Sequence, residues 1–394
     1  MEDHSVQILF QIFVMFTAAK VLAVAGARVQ IPPVISEIVA GILIGPHLLA
    51  LVHIEEWTLA LAELGAIVLL FDVGLDQKLT DLLKVGGTAL AVAVLGVVLP
   101  FFLGWGLLIL LQHSQTEAIF MGAAMVATSV GITARVLQEM GVLGTVVATV
   151  ILGAAVIDDI LGMIVLAVVS SLSEGVDYAQ IISVAAMAIG FTMFIVLVGR
   201  GVVRRVAPPV QRFATENSAF ALAMIICLGL SLAAAKIKIA AIIGAFLAGL
   251  VFSEEELTAG VKEKIHALYE FLVPFFFVTM GMQMDLRVLA RADILLLAAL
   301  VTLLAIAGKL VGCGVAAYPL GWRPALQVGM GMVPRGEVGI IVASIGLGLA
   351  TISDEIYSVV IIMVLVTTLL APPALKALFR EKQAPAKSPS ADLL

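Results

Sequence analysis

From residue 6 to residue 378 the chain is a succession of apolar runs separated by short polar gaps. Most runs have the ~17–25 residues that a helix needs to cross a bilayer, and not the ~10-residue alternating segments of a membrane β-barrel. The pattern predicts thirteen spans, at 6–26, 33–51, 58–75, 86–111, 117–135, 144–170, 179–199, 216–235, 238–252, 264–282, 292–317, 324–350 and 356–378. The ninth is short and follows the eighth closely, so twelve is the alternative count. The fold class expected is an all-α polytopic membrane protein.

Composition agrees with the pattern. Of 394 residues, 62% are hydrophobic and 13% charged, against about 25% charged in soluble domains. The mean hydropathy is +1.17, and the short gaps leave no room for a soluble domain. Cys227 and Cys313 both lie in apolar runs and read as small core residues, not as a disulfide or a metal site. The first four residues are acidic rather than basic, unlike a cleaved signal peptide. The net charge of −6 says less than where the charges fall. With charges at span ends counted in the adjoining segments, fifteen of the 22 Lys and Arg lie on one side of the thirteen-span layout and four on the other, while Lys20, Lys309 and Arg335 lie deeper within spans. The positive-inside bias puts the N-terminus outside and the C-terminus in the cytoplasm. The tail 381–394 is rich in Pro, Ser and Ala and is expected to be disordered.

The chain also repeats itself. IVAGILIGPHLLALVHIEE (38–56) echoes IIGAFLAGLVFSEEE (242–256). LLFDVGLDQKLTDLL (69–83) echoes FFVTMGMQMDLRVLA (276–290), with Gly74 over Gly281. VATSVGITARVL (126–137) echoes MVPRGEVGIIVA (332–343), with Gly131 over Gly336. The echoes recur in order at nearly one offset. Their copies start an odd number of spans apart, so the two five-helix repeats have inverted topology. That arrangement points to a secondary transporter with its site at the midplane.

The polar groups inside the spans carry the chemistry. Span six, ATVILGAAVIDDILGMIVLAVVS (148–170), has two adjacent carboxylates near its middle, Asp158 and Asp159. Each costs at least ~2.5–3.5 kcal/mol at that depth, so the pair needs a reason. Adjacent residues on a helix point about 100° apart. One carboxylate can therefore meet a protein partner while the other faces a cavity. The candidate partner is Lys309, alone in the apolar span eleven. A structural Asp158–Lys309 ion pair accounts for one aspartate and leaves Asp159 to be explained. Span five has Thr128, Ser129 and Gly131 at its centre, and span twelve has Pro334, Gly336 and the Arg335/Glu337 pair. Pro and Gly interrupt the helical ladder, and two interrupted spans in matching repeat positions point to a binding site. The half-helix ends would offer carbonyls and hydroxyls to a cation, and Thr128 and Ser129 are the expected neighbours of Asp159. Arg335 and Glu337 are expected to pair with each other or with the half-helix ends. Lys20, Glu37, Glu63 and Asp72 read as structural or water-facing groups.

Other chemistries are excluded or left bare. None of the five histidines has metal-ligand spacing, and no GxxxxGK[S/T] loop is present to bind ATP. Paired aspartates without a Cys, His or Ser partner do not resemble an intramembrane protease. The alternatives to an exchanger are a cation channel, an organic-anion transporter of related architecture, and a sensor or structural membrane protein.

The residues AVIDDILG, ATSVGITARVLQ, VPRGEVG, IPPVISEIVAGILIGP and the Lys309 span together resemble the bacterial monovalent cation:proton antiporters of the cation:proton antiporter-2 family, within the sodium/proton antiporter superfamily. The similarity runs to about Leu378. It implies an antiporter, not an enzyme, that exchanges protons for Na+ or Li+ and is electrogenic, with a K+/H+ antiporter as the runner-up. It implies Asp159 as the ion-binding carboxylate, Asp158 as the partner of Lys309, and Na+ held by the two aspartates. It also implies a fold in which broken spans five and twelve cross inside a mobile core. That core takes 84–172 and 291–380, a dimer domain takes 1–83 and 213–290, 173–212 is a linker, and 381–394 is the tail. The partners implied are a second copy in a homodimer, the lipid bilayer and a monovalent cation, with no cofactor, nucleotide or nucleic acid. The location implied is the bacterial inner membrane. Asp72, where many relatives are apolar, is a departure from the pattern.

Overall fold

The structure is a computed structural model that describes residues 2–28, 31–171, 178–199, 201, 218–237, 239–253, 258–284, 292–349 and 351–380. The tail 381–394, positions 173–177, 200 and 202–212 of the expected linker, Lys238, Arg287, Arg291 and the side chain of Glu337 lie outside the described residues.

Among the described residues the chain forms fifteen α-helices. They are α1 (Glu2–Arg28), α2 (Pro33–Ile44), α3 (Glu56–Leu75), α4 (Leu79–Leu110), α5 (Gln115–Ala124), α6 (Val130–Glu139), α7 (Val146–Ser171) and α8 (Tyr178–Phe194), which continues as a π-helical turn, Ile195–Gly199. After these come α9 (Ser218–Lys236), α10 (Ala241–Phe252), α11 (Thr258–Met282), α12 (Ala292–Ala317), α13 (Trp322–Gly331), α14 (Glu337–Gly348) and α15 (Asp354–Arg380). Eight are long and apolar enough to cross a membrane. The protein is a multi-pass membrane protein.

Local chemistry sets several of the ends. Pro33 occupies the first turn of α2, where its missing N–H is no loss. A capping box opens α3: the Glu55 N–H donates to Thr58 Oγ1 at 2.8 Å. Ser114 caps α5 by accepting from the Glu117 N–H at 3.1 Å. Gly141, at φ +66°, follows α6 in the left-handed conformation common just past a helix C-terminus. α4 starts earlier than hydropathy suggests. Its first turns are amphipathic, with Lys84 donating to Asp81 at 2.8 Å on an exposed face.

The packing sorts most helices into two groups. In the first, α1, α2, α3, α9, α10 and α11 pack on one another. In the second, α4, α5, α7, α12, α13, α14 and α15 do so. α6 packs on α7 and α15 of the second group and also reaches α2 and α3 of the first. The first group is sealed by glycine crossings. A Cβ on Gly41 of α2 would lie 1.9 Å from Val278 O of α11, and one on Gly281 would lie 2.0 Å from Ile38 O. A Cβ on Gly249 of α10 would lie 2.2 Å from Phe71 O of α3, and one on Gly74 would lie 2.4 Å from Phe246 O. In a bilayer, close backbone approach of this kind takes over from the hydrophobic effect as the force between helices.

Candidate functional site

α7 carries Asp158 and Asp159 near its middle, and the structure separates them. The Lys309 Nζ of α12 donates to Asp158 Oδ1 at 2.9 Å, with the two side chains 0% and 1% exposed. Space for the lysine comes from α4. A Cβ on Gly96 would lie 2.6 Å from Cys313 Sγ and 3.5 Å from Lys309 Nζ. The pair ties α7 to α12 within the second helix group. The other Asp158 oxygen, Oδ2, is buried without a hydrogen-bond partner among the described residues. Such groups are normally satisfied, so a donor or a cation there would find an open ligand.

Beside α7 two helices break, between α5 and α6 (125–129) and between α13 and α14 (332–336), and the breaks meet. Ser129 N–H donates to Pro334 O at 2.8 Å, Thr128 Oγ1 to Met332 O at 3.3 Å and Thr133 Oγ1 to Gly331 O at 2.7 Å. Thr133 and Thr128 thus satisfy carbonyls freed at the end of α13, and Pro334 takes the free N–H at the start of α6. Arg335 is fully buried in the second break. Its guanidinium donates to Val126 O at 2.9 Å, to Ala127 O, and more weakly to Ala305 O at 3.4 Å. It therefore places a positive charge on the carbonyls just past the C-terminus of α5, the negative end of that half-helix. Thr368 of α15 donates to Arg335 O and holds the break from behind. A Cβ on Gly336 would lie 2.8 Å from Ser129 Cβ and Oγ, so glycine there is what lets the two breaks touch.

Asp159 is half-buried and lines a cavity of about 490 Å³ between the two helix groups. Thr128 lines the same cavity from the break, and Glu63, Thr279 and Gln283 line it from α3 and α11. Most of the remaining wall is apolar, including Phe276, Met280 and Ile341. The cavity lies toward the side where α3 and α10 begin and α11 ends, judged by Leu59, Ala241 and Gln283.

On the opposite side, charged groups bridge the two helix groups. Arg135 of α6 is buried; its Nε donates to Glu139 at 2.7 Å, and its guanidinium donates to Tyr269 Oη of α11 and lies 4.7 Å from the centre of that ring. Glu37 of α2, only 1% exposed, lies 3.9 Å from the same guanidinium. Gln138 donates to Asp72 of α3 at 2.6 Å. Lys20–Glu270, at 2.9 Å, and Lys262–Asp76 join helices of the first group nearby.

The structure brings together Asp158, Lys309, Thr128, Ser129 and Arg335 around the two breaks, and puts Asp159 on the cavity wall with Thr128. Ser129 is where the breaks meet, with a buried hydroxyl that has no hydrogen-bond partner among the described residues. Arg335 meets the half-helix end as expected, and its expected pairing with Glu337 falls on a side chain outside the described residues. The sequence reading missed the Arg135 cluster. Arg135 ends span five and reads in the sequence as an inner-side charge, yet it is buried and bridges the two groups. Glu37 was the available signal, an acid in an apolar span that needs a cation.

Comparison with known proteins fits this geometry. Residues 12–381 match the family model described as sodium/hydrogen exchanger, transmembrane. The high-affinity Na+/H+ antiporter NhaS3 of Synechocystis sp. is 36% identical, over 96% of this chain and 92% of its own. The Na+/H+-K+ antiporter GerN of Bacillus cereus is 33% identical over 95% and 97%. A Na+/H+ antiporter of Enterococcus hirae is 33% identical over 89% and 92%. The solved structure of the sodium proton antiporter MjNhaP1 of Methanocaldococcus jannaschii superposes with a TM-score of 0.64 at 16% identity, covering 94% of this chain and 95% of the other, a likeness of fold.

Proposed function

Because the chain belongs to the sodium/hydrogen exchanger family, whose members are transporters and not enzymes, we propose that it exchanges protons for Na+ or Li+ at Asp159, with the Asp158–Lys309 pair beside it. The relatives' names support Na+ as the cargo. The carrying observation is the split of the two aspartates: Asp158 is locked to Lys309, and Asp159 is on a cavity wall beside the two breaks. A carboxylate in such a place binds either a proton or an alkali cation. Cation entry expels the proton, and proton entry expels the cation, which couples the two fluxes without covalent chemistry. The Asp158 oxygen that is unpartnered among the described residues extends the ligand set toward the cation. Lys309 supplies a second titratable proton, which makes electrogenic exchange the expected mode.

The two helix groups support an elevator. In this scheme the group around α4–α7 and α12–α15 is the moving core, and α1–α3 with α9–α11 form the static dimer domain of a homodimer. Counting the interrupted helix pairs α5/α6 and α13/α14 as one span each supports thirteen spans in two inverted repeats. The charge bias favours an outside N-terminus in a cell membrane. With that orientation the cavity faces outward, and the Arg135 cluster seals the cytoplasmic side.

GerN's name carries K+ as well as Na+, which supports a second reading with K+ as a cargo. Both readings are tested in proteoliposomes with a trapped pH dye, by adding Na+, Li+ and K+ separately to the wild type and to Asp159→Asn. Loss of every response in the variant is expected. Normal exchange by Asp159→Asn would reject the site, and a K+ response equal to that for Na+ would select the second reading.

A further inference from the structure

The cavity has a second wall, and its polar groups have no part in the exchange step just described. Positions 59, 62, 63 and 66 of α3 make one helical stripe on it, and positions 276, 279 and 280 of α11, with 283 just past its end, make another. Both stripes are apolar except for Glu63, Thr279 and Gln283. Thr279 lines the cavity and is 1% exposed, and its buried Oγ1 has no hydrogen-bond partner among the described residues. A helical threonine ordinarily satisfies its hydroxyl on a carbonyl one turn back, as Thr149 and Thr192 do here. Glu63 is exposed and lines the cavity within a span, where a carboxylate is costly unless a cation or water meets it.

We propose that Glu63, Thr279 and Gln283 form a second, vestibular site for the alkali cation, on the wall opposite Asp159, which gathers the cation before it reaches the exchange carboxylate. All three offer hard oxygen ligands, the kind that a small, strongly hydrated cation takes. Apolar walls of low dielectric focus the field of the Glu63 carboxylate into the cavity and raise the local cation concentration there. The site belongs to α3 and α11 of the first helix group, whereas Asp159 belongs to the second. It therefore serves cations arriving from the cavity side alone.

The inference rests on the reading of Asp159 as the exchange carboxylate, and one experiment keeps the two apart. Na+ concentration series are run in right-side-out and everted membrane vesicles, so that the cation is presented from each side in turn. Glu63→Gln is expected to raise the KM for Na+ about tenfold on the cavity side, the low end of what a charged, low-dielectric cleft contributes. The maximal rate and the KM on the other side stay as in wild type. Glu63→Asp stays near wild type, and Thr279→Val raises the same one-sided KM. Added choline chloride shrinks the Glu63→Gln effect, because salt screens the carboxylate. Glu63→Ser replaces Glu63→Gln if that variant does not reach the membrane. An unchanged KM on the cavity side, or an equal rise on both sides, overturns the vestibular site and leaves Asp159 untouched. Normal exchange by Asp159→Asn overturns the reading beneath it instead.

Discussion

Lys309→Met removes one ion from a pair that solvent does not reach. Lys309 Nζ and Asp158 Oδ1 are 2.9 Å apart, on side chains 0% and 1% exposed. At an effective dielectric of ~20, their gross attraction is about 6 kcal/mol. Most of that offsets the desolvation of both ions, so the pair contributes little net stability against a well-packed apolar replacement. Removing one partner is different. Asp158 is then a buried charge with no cation beside it, which costs about 3–5 kcal/mol. Removing both, in Asp158→Asn/Lys309→Met, avoids that penalty and recovers most of the loss. The two substitutions should therefore couple by at least about 2 kcal/mol, near the top of the range for residues in contact. The assay is a double-mutant cycle of heat unfolding in detergent, followed by fluorescence-detected size exclusion. Its midpoints are apparent ones, because such unfolding is irreversible. Additive losses from the two single substitutions would refute the pairing and with it the division of labour between the aspartates.

Four further substitutions test the packing. Gly41→Ala, whose Cβ would lie 1.9 Å from Val278 O, should destabilise by about 1–3 kcal/mol, seen as a lower apparent melting temperature. Gly86→Ala, inside α4 with nothing within 4 Å, should not lower the melting temperature and should stabilise by up to about 1 kcal/mol in the same assay. Arg335→Lys leaves one ammonium in place of a forked guanidinium, so at least one of the Val126 and Ala127 carbonyls loses its donor. The expected loss is about 1.5–3 kcal/mol together with a lower maximal exchange rate, and unchanged exchange would mean the break does not depend on it. Arg135→Ala frees α6 from Glu37 and Tyr269, and a cysteine at position 138 should then react faster with a membrane-impermeant maleimide; equal labelling would show that the cluster does not close that side.

The long spans were legible because an apolar run of bilayer length admits few other structures. Lys309 was legible as the partner of Asp158 because it is the single cation of its span. The interruptions were legible from Pro334, Gly336, Thr128 and Ser129, although their bounds were not. Hydropathy alone gives one span at 117–135, whereas the helix breaks after Ala124 and resumes at Val130. What sequence could not supply was contact across the fold. Arg335 binds carbonyls more than 200 positions away, and backbone acceptors leave no mark in the side-chain pattern. Arg135 looked like a loop charge because it ends an apolar run, and only packing brings Glu37 and Tyr269 to it. Glu63 looked incidental because nothing in its neighbourhood along the chain marks a cavity that α11 completes.

The central claim is that a proton and a cation compete for Asp159. The most direct test is the Na+ dependence of exchange in proteoliposomes at a series of pH values. Competition predicts that the apparent KM for Na+ rises as pH falls, by up to about tenfold per pH unit for one competing proton, by the reciprocity of linked binding. The maximal rate at saturating Na+ should hold. A KM that stays flat while the maximal rate falls would contradict the account, because the proton would then act somewhere other than the cation's own carboxylate.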